Sequence, residues 1–128
     1  MRIFETKLIE QVKGKQVYEK LVVNGECLLD QFESDIQGIP QYVSEFKTLI
    51  AYMDLLAKGN NLPITKFREI KGGGISTKRH EFKSKHLRIY ALDKPDGKIV
   101  ILGGYKNTQP KDIRSLNSIV KDYILSTR

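Results

Sequence analysis

The chain has 128 residues, 40 % of them hydrophobic, which suits one compact domain with a single core and excludes wholesale disorder. Its single cysteine, Cys27, excludes an internal disulfide, and no apolar run approaches membrane-spanning length, so one cytoplasmic domain over 1–128 with no membrane partner is expected. The net charge of +7 is uneven: residues 1–57 carry 6 basic and 9 acidic side chains, a net of −3, and residues 58–128 carry 16 and 6, a net of +10. A basic half of that strength favours an anionic partner, nucleic acid being the commonest, with a solvated basic surface as the alternative.

The N-terminus reads as strands. Ile3, Glu5 and Lys7 alternate with Phe4 and Leu8, Lys13-Gly14-Lys15 is a turn, and Val17 to Val23 is a second strand. Asn24-Gly25 between apolar runs is a hairpin signal, because both residues accept positive φ, so a β-hairpin is expected over about 1–29. Asp30 also suits the cap of a short helix through Ile36. After the break at Gly38-Ile39-Pro40, apolar residues at Tyr42, Val43, Phe46, Leu49, Ile50, Met53, Leu56 and Ala57 have three-and-four spacing. They form the buried face of an amphipathic helix that Gly59 closes and Pro63 stops.

From Phe67 the pattern becomes strand-like. Phe67–Ile70 is short. Arg79–Lys83 alternates. His86–Leu92 alternates too, with Leu87, Ile89 and Ala91 on one face and His86, Arg88 and Tyr90 on the other. Asp93 to Gly97 is a hairpin loop, and Lys98–Leu102 is apolar on both faces after its first residue, as a central strand is. Pro110 opens a last helix whose apolar residues Ile113, Leu116, Ile119, Val120, Tyr123 and Ile124 again have helical spacing. The expected class is α+β, a small single domain of one antiparallel sheet with helices against one face.

The stretch 71–90, KGGGISTKRHEFKSKHLRIY, gathers three glycines, six basic residues and both histidines. It lacks the G-x-x-x-x-G-K-[ST] pattern and precedes a strand, so it makes no triphosphate loop. The glycines suit a flexible connection or close approach to a polymer backbone. His80 and His86 have no metal-ligand spacing and Cys27 is distant, so neither a metal nor a cofactor is expected; Cys27 reads as a small buried hydrophobe. Cleavage of a phosphodiester by its own 2′-hydroxyl fits these side chains. It needs a base, cations for the developing charge, and an acid for the leaving oxygen. Imidazole supplies the base or acid, arginine holds phosphate in a fork, and tyrosine stacks a base or donates a proton. His86, Arg88, Tyr90 and, less directly, His80 are therefore the candidate catalytic residues. Lys78, Arg79, Lys83 and Lys85 are candidate contacts to flanking phosphates or ribosomal RNA.

The run LRIYALDKPDGKIVILGGYKNTQPKDI resembles the RelE/HigB-like toxins of the RelE/ParE superfamily, found in bacterial type II toxin–antitoxin systems. The pieces that carry the resemblance are Leu87-Arg88-Ile89-Tyr90, the hairpin Asp93–Gly97, the strand Ile99–Gly103, Lys106, and Thr108-Gln109-Pro110-Lys111-Asp112-Ile113. The amphipathic helix and the phrase Asn61 to Ile70 fit as well, so the likeness spans about residues 30–125. It implies a curved antiparallel sheet packed by helices. It also implies a toxin that cleaves mRNA on the ribosome without metal and a cognate antitoxin that neutralises it. The antitoxin expected is a helix-turn-helix protein with an acidic segment. In the resemblance, Arg88 matches a phosphate-binding strand arginine, Lys106 the basic residue after the last strand, and Lys66 and Arg68 basic residues ahead of the sheet. Tyr105 joins Tyr90 as a candidate for stacking a base or supporting the acid.

The chain departs from the pattern in having Asn107 where a second lysine often stands, in its long N-terminal hairpin, and in the triple glycine. On this reading Arg88→Ala removes activity and leaves the fold intact. Two other readings share the scaffold: a non-catalytic toxin of the ParE type acting on gyrase, and a non-toxic nucleic-acid-binding accessory domain.

Overall fold

The computed structural model describes residues 2–128. Its elements run β1 (Phe4–Leu8), β2 (Val17–Val23), β3 (Glu26–Cys27), α1 (Leu28–Asp35), α2 (Pro40–Ala57), β4 (Phe67–Ile70), β5 (Arg79–Lys83), β6 (Leu87–Lys94), β7 (Gly97–Tyr105), a 3₁₀ turn Lys106–Thr108, and α3 (Gln109–Ser126). The strands form one seven-stranded sheet in the order β1-β2-β7-β6-β5-β4, with the short β3 pairing β2. The class is α+β, as expected. Among the described residues no helix is long and apolar enough to cross a membrane.

Local chemistry fixes several turns where the sequence places them. Asn24 and Gly25 both take positive φ, 51° and 81°, and set Val22 opposite Cys27. Pro40 lies in the first turn of α2, and Gly59 follows its end at φ 94°. The triple glycine Gly72–Gly74 has φ of 89°, 73° and 69°, a left-handed run that side chains with a Cβ resist. At Gly73 a Cβ would also overlap the Asn117 amide of α3.

Two expectations are corrected. The sheet is mixed rather than purely antiparallel, because β2 runs parallel to β7, with Val17 opposite Gly97 and Lys20 opposite Val100. The helices also cover both faces rather than one. Leu29 and Phe32 of α1, Ile36 just past its end, and Phe46, Leu49 and Met53 of α2 pack on Leu87, Ile89, Ala91 and Val100. Leu116, Ile119 and Val120 of α3 pack on Tyr90, Leu92, Ile99 and Ile101 from the other side. The physical reason lies in Ile99–Leu102. A strand apolar on both faces leaves about 25 cal/mol per Å² of unburied apolar surface unless both are covered. A register shift at Tyr90/Ala91 makes Ile101 the extra residue of a bulge, so that Ile101 and Leu102 both serve the α3 side.

Candidate functional site

The glycines and the histidines of 71–90 do not form one site. The glycine loop enters β5 at Arg79, and β5 leaves at Lys83 for the turn that carries His86. Its five residues separate the two ends by roughly 13 Å.

The turn Ser84–Leu87 is held from two sides. Ser84 N–H donates to Leu87 O (3.1 Å) and Leu87 N–H to Ser84 Oγ (3.2 Å), closing a two-residue loop of Lys85 and His86. Glu45 of α2 gathers the loop from one side. It accepts from Ser84 Oγ, from His86 N–H (2.8 Å) and from His86 Nδ1 (2.6 Å), and Gln41 Nε2 adds a fourth bond (2.9 Å). Arg88 holds it from the other side, its Nη1 donating to Ser84 O (2.6 Å) and Leu87 O (2.8 Å). Burial pushes the Glu45 carboxyl up, but the bonds from Ser84, His86 and Gln41 outweigh it and hold it down at about 2. Glu45 is therefore an anion at neutral pH and accepts the Nδ1 proton. With Nδ1 turned to Glu45, Nε2 is the ring nitrogen of His86 left to face the cleft.

His86 opens into a cleft of about 580 Å³ lined by Ile39, Tyr42, Lys85, Tyr105, Lys106 and Asn107. Lys106 is pinned there because its N–H donates to His86 O (2.8 Å) where β7 ends. The Tyr42 ring lies 5.3 Å from the His86 ring and 5.7 Å from Tyr105, which in turn meets Phe32 edge-on at 5.4 Å. Thr108 braces Tyr105 by accepting its N–H (3.2 Å). The result is an imidazole with a buried anion behind it, two lysines at its rim and two tyrosine faces as walls. That arrangement can move a proton, hold a phosphate and stack a base.

Four expected site residues meet here: His86, Lys106, Lys85 and Tyr105. Arg88 and Tyr90 do not join His86 on one face. His86 sits in the loop before β6 and turns toward α2, whereas Tyr90 is fully buried under α3. Burial, then Glu81 and Asp112, push the Tyr90 hydroxyl above its ordinary range, with Arg88 opposing. Arg88 is only 6 % exposed and serves the turn's carbonyls, so it positions Lys85 and His86, and its removal would disturb the fold it was expected to leave intact.

His80 lies at the other end of β5. Its Nδ1 is 3.0 Å from Asp93 Oδ1, its ring stacks on Phe67 at 4.5 Å, and Lys98 bonds the same Asp93 oxygen. Arg79 is buried, bonded to Asn117 Oδ1 and to Gly72 O (2.6 Å). Arg68 pairs with buried Glu81 (2.9 Å), and Lys66 Nζ sits 5.3 Å from the Tyr52 ring centre. Lys78 is exposed and Lys83 half-buried; neither lines the cleft. Among the described residues no group of three His, Cys, Asp or Glu side chains converges as a metal site, and Cys27 is half-buried, its thiol pushed up by burial.

Two contributors, Glu45 and Tyr42, are not among the residues the sequence points to. Tyr42 reads as core from its helical spacing. Glu45 did leave a signal: it is three residues after Tyr42 and four before Leu49, a carboxylate on the apolar stripe of α2. Comparison with family models, curated proteins and solved structures finds no significant match.

Proposed function

We propose that the chain is a metal-independent endoribonuclease, the toxin of a type II toxin–antitoxin pair of the RelE/HigB-like kind, acting on mRNA at the ribosome. The observation that carries this reading is the Glu45–His86 pair opening on a cleft with two lysines and two tyrosines. Further support comes from the +10 charge of residues 58–128 and from the order helix, strand meander, last helix that the resemblance implies.

In the proposed reaction His86 Nε2 takes the proton of the 2′-hydroxyl. The 2′-oxygen attacks phosphorus, Lys85 and Lys106 neutralise the pentacovalent phosphorane, and the P–O5′ bond breaks to leave a 2′,3′-cyclic phosphate. The 5′-oxygen takes its proton from solvent admitted by the open cleft. Tyr42 and Tyr105 hold the flanking base, and Glu45 steadies the imidazolium formed midway. Arg88 enters only as a positioning residue for the turn.

The test is induction in cells that lack any antitoxin, with transcript 5′ ends mapped for the wild type, His86→Ala and Lys106→Ala. Growth arrest with new codon-phased cuts, lost in both variants, is the expected result. Arrest with intact transcripts and damaged DNA would replace this reading with a gyrase-directed toxin of the ParE type. Folded protein that causes no arrest would leave the accessory-domain reading.

A further inference from the structure

We propose that β1 is a self-recognition edge, through which two copies of this chain join their sheets by antiparallel pairing centred on Thr6. This inference is independent of the ribonuclease reading.

Strand β1 is the free margin of the sheet, and four of its five residues are exposed. Its inner ladder fixes which backbone groups remain free. Asn24 N–H donates to Ile3 O (2.8 Å) and Ile9 N–H to Tyr18 O (2.9 Å), so residues 3, 5, 7 and 9 use their backbone groups on β2. By alternation, the N–H and C=O of Phe4, Thr6 and Leu8 point outward with no strand to receive them.

A two-fold axis at Thr6 satisfies all of them. Thr6 then meets Thr6 of the second copy, and Phe4 meets Leu8, each an outward residue opposite an outward residue. Glu5 falls opposite Lys7 in the closely spaced pairs between, and this happens twice by symmetry. Glu5 and Lys7 are exposed and have no ion-pair partner within the chain among the described residues. The α3 side of the same edge is shaped for the apolar pair. Phe4, Arg2, Asp122, Leu125 and Ser126 line a groove of about 340 Å³, and Leu8, 57 % exposed, is the residue that a second copy sets beside Phe4.

The register is specified against slippage. A two-residue shift either way puts Glu5 on Glu5 or Lys7 on Lys7. The opposite margin fails the same test. In β4, Lys83 N–H donates to Lys66 O (2.8 Å), so Phe67 and Glu69 carry the outward groups. Every two-fold pairing that opposes those groups brings Arg68 onto Arg68, Lys66 onto Arg68, or Glu69 onto Glu69. No pairing of Phe67 and Glu69 with themselves or each other is complementary, whereas β1 complements itself.

Sedimentation equilibrium of the full chain tests this. The wild type is expected to dimerise. Glu5→Lys and Lys7→Glu are each expected to weaken the dimer about tenfold or more, since each sets like charges opposite one another twice. The double variant Glu5→Lys/Lys7→Glu, and an equimolar mixture of the two single variants, are expected to restore it. Thr6→Pro removes an outward N–H that the monomer does not use in its ladder, and with it only the exposed Thr6 Oγ bond to Glu19 (2.9 Å), so it is expected to give a folded monomer. A wild type that stays monomeric up to about 1 mM would overturn the proposal. So would a dimer indifferent to all these changes, which would use another face, and so would charge variants that weaken the dimer without rescue by the double swap.

Discussion

The two histidines of this chain are built alike and left in different states. Each sets Nδ1 on a carboxylate oxygen, His86 on Glu45 at 2.6 Å and His80 on Asp93 at 3.0 Å. Asp93 already serves Lys98, and the His80 ring is stacked flat on Phe67, with its side chain 13 % exposed. Among the described residues Glu45 pairs with no lysine or arginine, and the His86 side chain is 39 % exposed at the mouth of a cleft with Lys85 and Lys106. A carboxylate behind an imidazole is therefore no mark of function by itself. What separates the two is whether the second nitrogen is left accessible, and what faces it.

The largest expected effect breaks the symmetry outright. On the proposed ribonuclease reading, His86→Ala should lower single-turnover cleavage of ribosome-bound mRNA by about 10³-fold, within the range for removing a general base. His80→Ala should leave that rate unchanged. The reverse result would move the chemistry to the far end of β5.

Next comes Glu45, where activity and acid stability separate. Its folded carboxyl is held at about 2 against an ordinary 4.5. A depressed carboxyl stabilises the fold above its unfolded value and loses that stabilisation as pH falls through its folded value. The window is therefore about pH 4.5 down to about pH 2, and the contribution at neutral pH is about 3 kcal/mol. Glu45→Gln should unfold at lower urea and show a flatter stability curve through that window. Its cleavage rate should fall as well, because a neutral amide fixes neither the tautomer nor the imidazolium. Equal acid limbs in the two proteins would remove Glu45 from the anchoring role.

His80→Ala sharpens the other half of the comparison. It gives up one hydrogen bond and the stack on Phe67 and leaves Asp93 with Lys98, so urea unfolding should show a loss of about 1–2 kcal/mol. A rate change without a stability change would contradict the assignment of His80 to packing.

The sequence shows the elements better than their arrangement. The apolar spacing of α2 and α3, the Asn24-Gly25 turn and the central position of Ile99–Leu102 are local patterns, and each was readable. The parallel pairing of β2 with β7 joins residues some eighty positions apart and leaves no local trace. His86 reads as a strand residue because alternation continues through a two-residue loop without a break; only the Ser84–Leu87 closure shows that it lies outside β6. That one-residue difference separates it from Arg88 and Tyr90. Glu45 behind the imidazole and Tyr42 on the cleft wall come from a helix whose pattern reads as core, and a charge on the apolar stripe is the only clue.

The smallest effect is expected at Tyr90, where the same question of what is left free gives the opposite answer. Its ring fills the layer between sheet and α3, and its hydroxyl is buried with no hydrogen-bond partner among the described residues. Removing that oxygen while keeping the ring loses no bond and relieves a desolvated polar group, so Tyr90→Phe should raise unfolding stability by up to about 1 kcal/mol and leave cleavage untouched. Tyr105→Phe is the matched control on the cleft wall, where the ring stays in place to stack. A Tyr90→Phe variant with an intact melt and a depressed rate would place the hydroxyl in the reaction after all, and would require the N-terminal end of α3 to lift from the sheet for substrate to reach it.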